Sequence, residues 1–233
     1  MRSAKTIFMK QAKDMVKNPM VLIQFILFPA VAFIMTELIA KSDGFEGMPV
    51  NMFVTMMAAI FAGMGLTMST AGVIAEDIEK KSLRFLVMAG VKPHQYLAGT
   101  GGFLFFLGAL TALLFGFIGE FTMTEFFKLV AVLIACAAAS IILGATIGII
   151  SKNQQSATSL GMPVAMILGF TPMVAAFNET IYKAAGFLYT QQLNIITNDF
   201  SESFEKAMGV TLMNILVLVV LFTIAYRKRG LRS

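Results

Sequence analysis

The chain reads as an all-α membrane protein with six transmembrane helices, and three observations predict it. Of its 233 residues, 58% are hydrophobic and the mean hydropathy is +0.81. A soluble fold of that composition would expose far more apolar surface than the roughly few hundred Å² a monomer tolerates. Six apolar runs fall at about 19–40, 50–75, 97–119, 126–150, 158–177 and 207–226, each near the roughly 20 residues a helix needs to cross a bilayer. Charged residues, only 13% of the chain, gather between those runs. One domain, 1–233, is expected, since no linker, low-complexity stretch or repeat divides it.

The first seventeen residues predict an amphipathic interfacial helix. Ala4, Ile7, Phe8, Ala12, Met15 and Val16 recur at helical spacing, and Lys5, Lys10, Lys13 and Lys17 take the remaining face. That pattern suits the boundary between anionic headgroups and acyl chains. A basic flank of span 1 with incidental periodicity explains the same residues. The apolar run behind them is long enough to span, so the start is not read as a signal peptide. Asn18-Pro19 then breaks and restarts the helix.

Lys and Arg divide unevenly between the connections: 14 lie before span 1, in 76–96, in 151–157 and after span 6, against Lys41, Lys128, Lys183 and Lys206 elsewhere. The positive-inside rule therefore puts both termini in the cytoplasm, and a bacterial cytoplasmic membrane is expected. The net charge of +5 is explained by topology and calls for no nucleic acid.

The densest charge in the chain lies between spans 2 and 3. Glu76, Asp77, Glu79, Lys80, Lys81 and Arg84 fall within nine residues, interleaved with Ile78, Phe85, Leu86 and Ala89, and Pro93 ends the run. A connector needs only a few polar residues, so an ordered amphipathic helix within 76–96 is expected, facing something in the cytosol. Its acids come first and its bases later, which complements a helix dipole.

Span 4 carries Cys136, Ser140, Gly144 and Gly148 at every fourth position, a small-residue ridge for close helix packing within the protomer or between two protomers. Pro163 and Pro172 in span 5 predict a kinked or broken helix, either a pathway wall or a packing kink. Residues 178–206 are too apolar for a water-exposed loop, with Ile181, Tyr182, Phe187, Leu188, Tyr189, Leu193, Ile195 and Ile196. They predict a short re-entrant helical pair before span 6. Within it, Asn178-Glu179-Thr180 matches a glycosylation sequon.

Catalytic chemistry is nearly absent. No glycine-rich phosphate loop ending in Gly-Lys-Ser or Gly-Lys-Thr occurs, so nucleotide hydrolysis is not expected in this chain. His94 has no second histidine with which to share a metal. Glu37 lies near the end of span 1, within reach of the headgroups. Gln24 and Asn214 lie deeper and call for inter-helix hydrogen bonds. Methionine and phenylalanine number 18 and 22. Met56, Phe61 and Met64 of span 2, with Met166, Phe170 and Met173 of span 5, form flexible apolar surfaces that suit varied apolar ligands or simply lipid and core.

This order of parts resembles the membrane subunits of type-2 ABC exporters over nearly the whole chain. The family commonly carries a Glu-x-Gly-Thr-Leu-Glu-like run after span 2, then a short apolar stretch and a proline. Here the run is Glu79-Lys80-Lys81-Ser82-Leu83-Arg84, followed by Phe85 to Pro93. Glu79 and Leu83 match, Ser82 is conservative, and Lys81 and Arg84 replace glycine and glutamate. The resemblance implies a permease working as a homo- or heterodimer with a separate cytosolic ABC ATPase that holds ATP and Mg. The chain itself would need no cofactor and would not be an enzyme. Residues 76–91 would be the ATPase-coupling helix, with its coupling residues between Glu76 and Phe85, spans 2 and 5 would line the pathway, and the substrate would be an apolar or amphipathic peptide, drug or lipid. An ion-driven carrier and a non-transporting anchor for a cytosolic partner are the competing readings. An intramembrane enzyme would need more ionisable residues within its spans.

Overall fold

A computed structural model describes residues 2–16, 19–40 and 51–230, with the side chains of Leu83 and Arg84 among those left undescribed. Lys17, Lys41 and Arg232 of the charge pattern lie outside the described residues. Every regular element described is helical. Helix α1 is Arg2–Val16, and α2 is Pro19–Met35, widening into a π turn at Thr36–Ala40. Then come α3 (Met52–Glu79), α4 (Ser82–Met88), α5 (Pro93–Ile118), α6 (Met123–Ile150) and α7 (Gln154–Ala175). Short helices α8 (Glu179–Ala184) and α9 (Gln191–Asn198) lead into α10 (Phe204–Gly230). Six helices, α2, α3, α5, α6, α7 and α10, are long and apolar enough to cross a membrane.

Helices α3 and α6 are the most buried spans, and α2 and α10 the least. The reason lies in the small-residue ridge. A Cβ on Gly144 would lie 2.3 Å from Thr67 O of α3, and one on Gly148 would lie 2.8 Å from Ile74 Cβ. Higher on the same ridge the Cys136 thiol donates to Tyr189 O at 3.2 Å and the Ser140 hydroxyl to Tyr189 Oη at 2.9 Å. The ridge is thus consumed within the protomer. It joins α6 to α3 and to the segment before α9.

Phe61 is fully buried and forms the aromatic centre of the core, 5.5 Å from Phe25, 5.8 Å from Phe28 and 5.8 Å from Phe115. Its backbone belongs to a π segment, Phe61–Leu66, inside α3. There Gly63 lets α3 meet α7, for its Cβ would stand 2.6 Å from Gly169 N.

Helix α7 runs unbroken from Gln154 to Ala175 through both prolines. Pro172 has no N–H for the carbonyl four residues back, and a carbonyl left bare in a bilayer is costly. The Thr190 hydroxyl supplies the missing donor, bonding Leu168 O at 2.7 Å. The device repeats at Pro29 in α2, where Thr111 of α5 donates to Phe25 O at 3.2 Å, shared with its own Leu107 O at 3.0 Å. Gln24 bonds Ser69 of α3, and Asn214 donates to Phe187 O at 2.9 Å. Gln24 thus makes the inter-helix bond expected of it, whereas Asn214 reaches the turn between α8 and α9 and its own helix at Val210 O. Asn178 accepts from Ile181 N at 3.1 Å, so the sequon asparagine caps α8.

Thr190→Val is expected to cost about 1–3 kcal/mol by leaving Leu168 O without a donor, read as chemical unfolding in detergent. Adding Pro172→Ala restores an N–H to that carbonyl and recovers part of the loss. Fully additive losses would show that the pair does not act as described.

Candidate functional site

Helices α1, α4, the first turn of α5 and the end of α10 converge at one end of the bundle around a buried carboxylate. Asp77, in the last turn of α3, is 6% exposed. Lys10 Nζ approaches its Oδ1 at 3.1 Å. Gln11 Nε2 and the Tyr96 hydroxyl donate to its Oδ2 at 3.2 and 3.0 Å. One carboxylate therefore ties α1, α3 and α5 together. Lys10 is half exposed, so the ion pair itself is worth little. The stronger argument is that a buried carboxylate without its donors would be very costly.

Local sequence explains each position. Ile7, Gln11 and Met15, four apart, form the buried stripe of α1, and Phe8 stacks edge-on against Phe103 of α5 at 5.6 Å. Gln11 is a polar residue on an apolar stripe, and its carboxylate partner accounts for it. Pro93 opens α5 and Gln95 Oε1 accepts from Lys92 N at 3.1 Å, a capping bond that places Tyr96 one turn in. Tyr96 stacks near Tyr226 of α10 at 6.2 Å, and Tyr226 donates to Val91 O at 3.3 Å.

The charged island departs from the single helix expected over 76–91. Glu76, Asp77 and Glu79 complete α3, a turn follows, and α4 is a separate seven-residue helix. The break falls at Lys81, whose φ is 60°. That left-handed position favours glycine, which is the residue the family pattern carries there. The acids therefore stand at the carboxyl end of α3, the wrong end for its dipole, and each is answered by another element or a neighbour. Asp77 has its three donors. Glu76 pairs with Lys80 and accepts from Gln154 Nε2 at 3.1 Å. Glu79 accepts from Gln154 N at 3.3 Å, at the positive end of α7. The Glu76 carboxylate holds the exposed Lys80 ammonium above its ordinary range. Between α1 and α3 a cleft of about 180 Å³ is lined by Lys10, Asp14, Glu76, Asp77 and Lys80 among others.

Beyond this cluster the candidates separate. Asp77 is interior and bonded by three side chains of the bundle. Ser82 is half buried, Lys81 is exposed, and Phe85 and Met88 project from α4 at 64% and 65% exposure. Leu83 and Arg84 lie in α4, but their side chains are outside the described set. Phe61 is fully buried in the core. Met166, Phe170 and Met173 share an exposed face of α7, while Met64 is half buried and Met56 is buried beside a cavity at the opposite end. His94 is exposed. Among the described residues no cluster of His, Cys, Asp and Glu could hold a metal.

A six-span helical membrane protein whose second span ends in a charged turn clamped to the bundle through a buried carboxylate, with a short helix leading on to the third span, fits a transport permease. The sequence matches the family model for ABC-2 family transporter proteins over residues 8–227, and the chain belongs to that family. No curated protein matches it, so the assignment rests on the family model together with the fold.

Tyr96→Phe removes one donor from Asp77 and is expected to destabilise the protein by about 1–3 kcal/mol, detected in thermal unfolding with α1 becoming more accessible to protease. Lys81→Gly should instead stabilise it, by about 0.5–1 kcal/mol after the glycine's unfolded-state entropy is counted. A fall in melting temperature for that variant would contradict the left-handed turn.

Proposed function

We propose that the chain is the membrane subunit of an ATP-driven exporter, pairing with a second permease chain and with a cytosolic ABC ATPase. ATP and Mg belong to that partner, and this chain is not itself an enzyme. The observation carrying the proposal is the form of α4. It presents Phe85 and Met88 outward, and behind it the Asp77 clamp joins α3, α1 and α5. A push on α4 therefore moves three helices together. On this reading α4 with the preceding turn is the coupling element, and Glu79 and Arg84 border its contact with the ATPase. Helix α1 lies at the membrane surface, and both termini face the cytoplasm of a bacterial cell.

Helices α3 and α7 are the pathway helices on this reading. They meet at Gly63 and Gly169, and α7 turns Met166, Phe170 and Met173 outward, a surface that suits an apolar or amphipathic peptide, drug or lipid. The segment containing α8 and α9 is a re-entrant cover over the far end. An ion-driven carrier is the weaker reading, because Asp77, the buried carboxylate described, is tied up by three donors.

The test is co-purification from mild detergent with an ATPase, followed by hydrolysis assays. Reversing charge at both Glu79 and Arg84 (Glu79→Lys with Arg84→Glu) should abolish substrate-dependent hydrolysis and leave membrane insertion intact. Normal coupling in that variant would overturn the assignment of α4. Absence of any ATPase from well-folded protein would favour the anchor or the ion-driven carrier.

A further inference from the structure

At the end of the bundle opposite the Asp77 clamp, a cavity of about 220 Å³ opens between α3, α7, α8 and α9. Its polar lining consists of Asn51, Thr55, Tyr182, Asn194, Thr197 and Asn198, beside the apolar Met52 and Met56. Among the described residues no charged side chain lines it. That is unusual at a membrane boundary, where charged side chains are cheap to place. Pockets enclosing whole drug-sized ligands measure roughly 300–1,000 Å³, so this one has room for a headgroup.

The hydrogen-bond inventory defines the headgroup. Thr55 and Thr197 spend their hydroxyl protons on helix carbonyls, Asn51 O and Leu193 O, each at 3.0 Å, and so present acceptor lone pairs. Asn194 Nδ2 is fixed on Pro172 O at 3.0 Å, which leaves its carbonyl oxygen to accept. Asn198 Nδ2 donates to Tyr182 Oη at 3.4 Å, freeing the phenol proton to donate outward. Asn51 occupies the N-cap position of α3 yet makes no capping bond with its side chain, so its amide can both donate and accept. An ionised carboxylate or phosphate dianion only accepts and a primary ammonium only donates. A group that does both, a hydroxyl or an amide, meets this lining most fully, and burying an ion there without a counter-charge is costly.

We propose that this cavity is a site for the uncharged, hydroxyl- or amide-bearing headgroup of an amphiphile whose alkyl part lies along Met52 and Met56. It rests on the transport reading only in that the ligand is then the cargo or a competitor for its exit. The binding chemistry stands by itself.

The test uses the full chain in lipid nanodiscs. Its single native cysteine, Cys136, is buried, so Ala176→Cys, at an exposed position lining the cavity, gives a selective reporter for aqueous maleimide. Three probes share a dodecyl chain: dodecyl maltoside, dodecyl phosphate and dodecylammonium, with free maltose as a fourth arm. Dodecyl maltoside should slow labelling by about tenfold, and the two ionic probes at equal concentration should not. Asn51→Asp, which disturbs no bond of Asn51's side chain in the fold, should admit dodecylammonium and weaken dodecyl maltoside by about fivefold. Protection by maltose alone assigns the same chemistry to a soluble polyol and removes the alkyl part of the proposal. Equal protection by all three dodecyl probes, protection by none, or no change in preference with Asn51→Asp overturns it. No ATPase is needed, so the two readings fail separately. Lost coupling with intact protection sinks the transporter, and intact coupling without protection sinks the site.

Discussion

A polar group inside a bilayer has no water to bond, and that constraint organises this molecule. Each helix satisfies its own backbone until a proline interrupts it, and then a neighbour must supply the donor. Thr190 does so for Leu168 O and Thr111 for Phe25 O. These are points where helix identity depends on tertiary contacts, because the freed carbonyl and its threonine lie far apart in the chain. The same necessity joins Gln24 to Ser69 and Asn214 to Phe187 O. Apolar packing fills the core around Phe61, but it is non-directional, and the polar bonds decide which faces meet.

Asp77 is the extreme case. A carboxylate at the end of a span could have reached water, yet it is buried and held by Lys10, Gln11 and Tyr96. The consequence is mechanical. Helix α1 becomes part of the bundle's end, and α4 hangs from α3 by a two-residue turn whose left-handed residue, Lys81, allows little variation in direction. Glu76 and Glu79 extend the linkage to α7 through Gln154. A displacement at α4 therefore has short paths to α3 and α7, which touch again at Gly63 and Gly169. The far end of those two helices borders the uncharged cavity, so the proposed input and the proposed ligand site lie at opposite ends of one helix pair.

Much of this was legible in the sequence. The six spans lie where the apolar runs placed them, with α3 extending further into the charged island and α5 beginning earlier than hydropathy alone suggests. The small-residue ridge was visible as a four-residue repeat. That it packs against α3 was not, because a repeat names a face and leaves its partner open. The island is recognisable by charge density, but its pattern predicts one helix. The interruption depends on a single backbone conformation at Lys81, where a lysine gives none of the warning a glycine would. Gln11 on the apolar stripe of α1 was the available signal for the clamp, and Tyr96 gave none until its neighbours were known.

What the sequence by itself determined is the solvent: hydropathy and charge spacing are local sums, and they suffice to make six helices cross a membrane and to gather the basic residues at one end. Family membership belongs to the same level, since it rests on the order of parts along the chain. Only the tertiary structure decided that Asp77 is interior while Phe85 is exposed, that Phe61 is core while Met56 borders a cavity, and which carbonyls the threonines answer. Those outcomes depend on residues tens of positions apart meeting at hydrogen-bond distance, and periodicity along a helix carries no information about the side chain that will stand opposite.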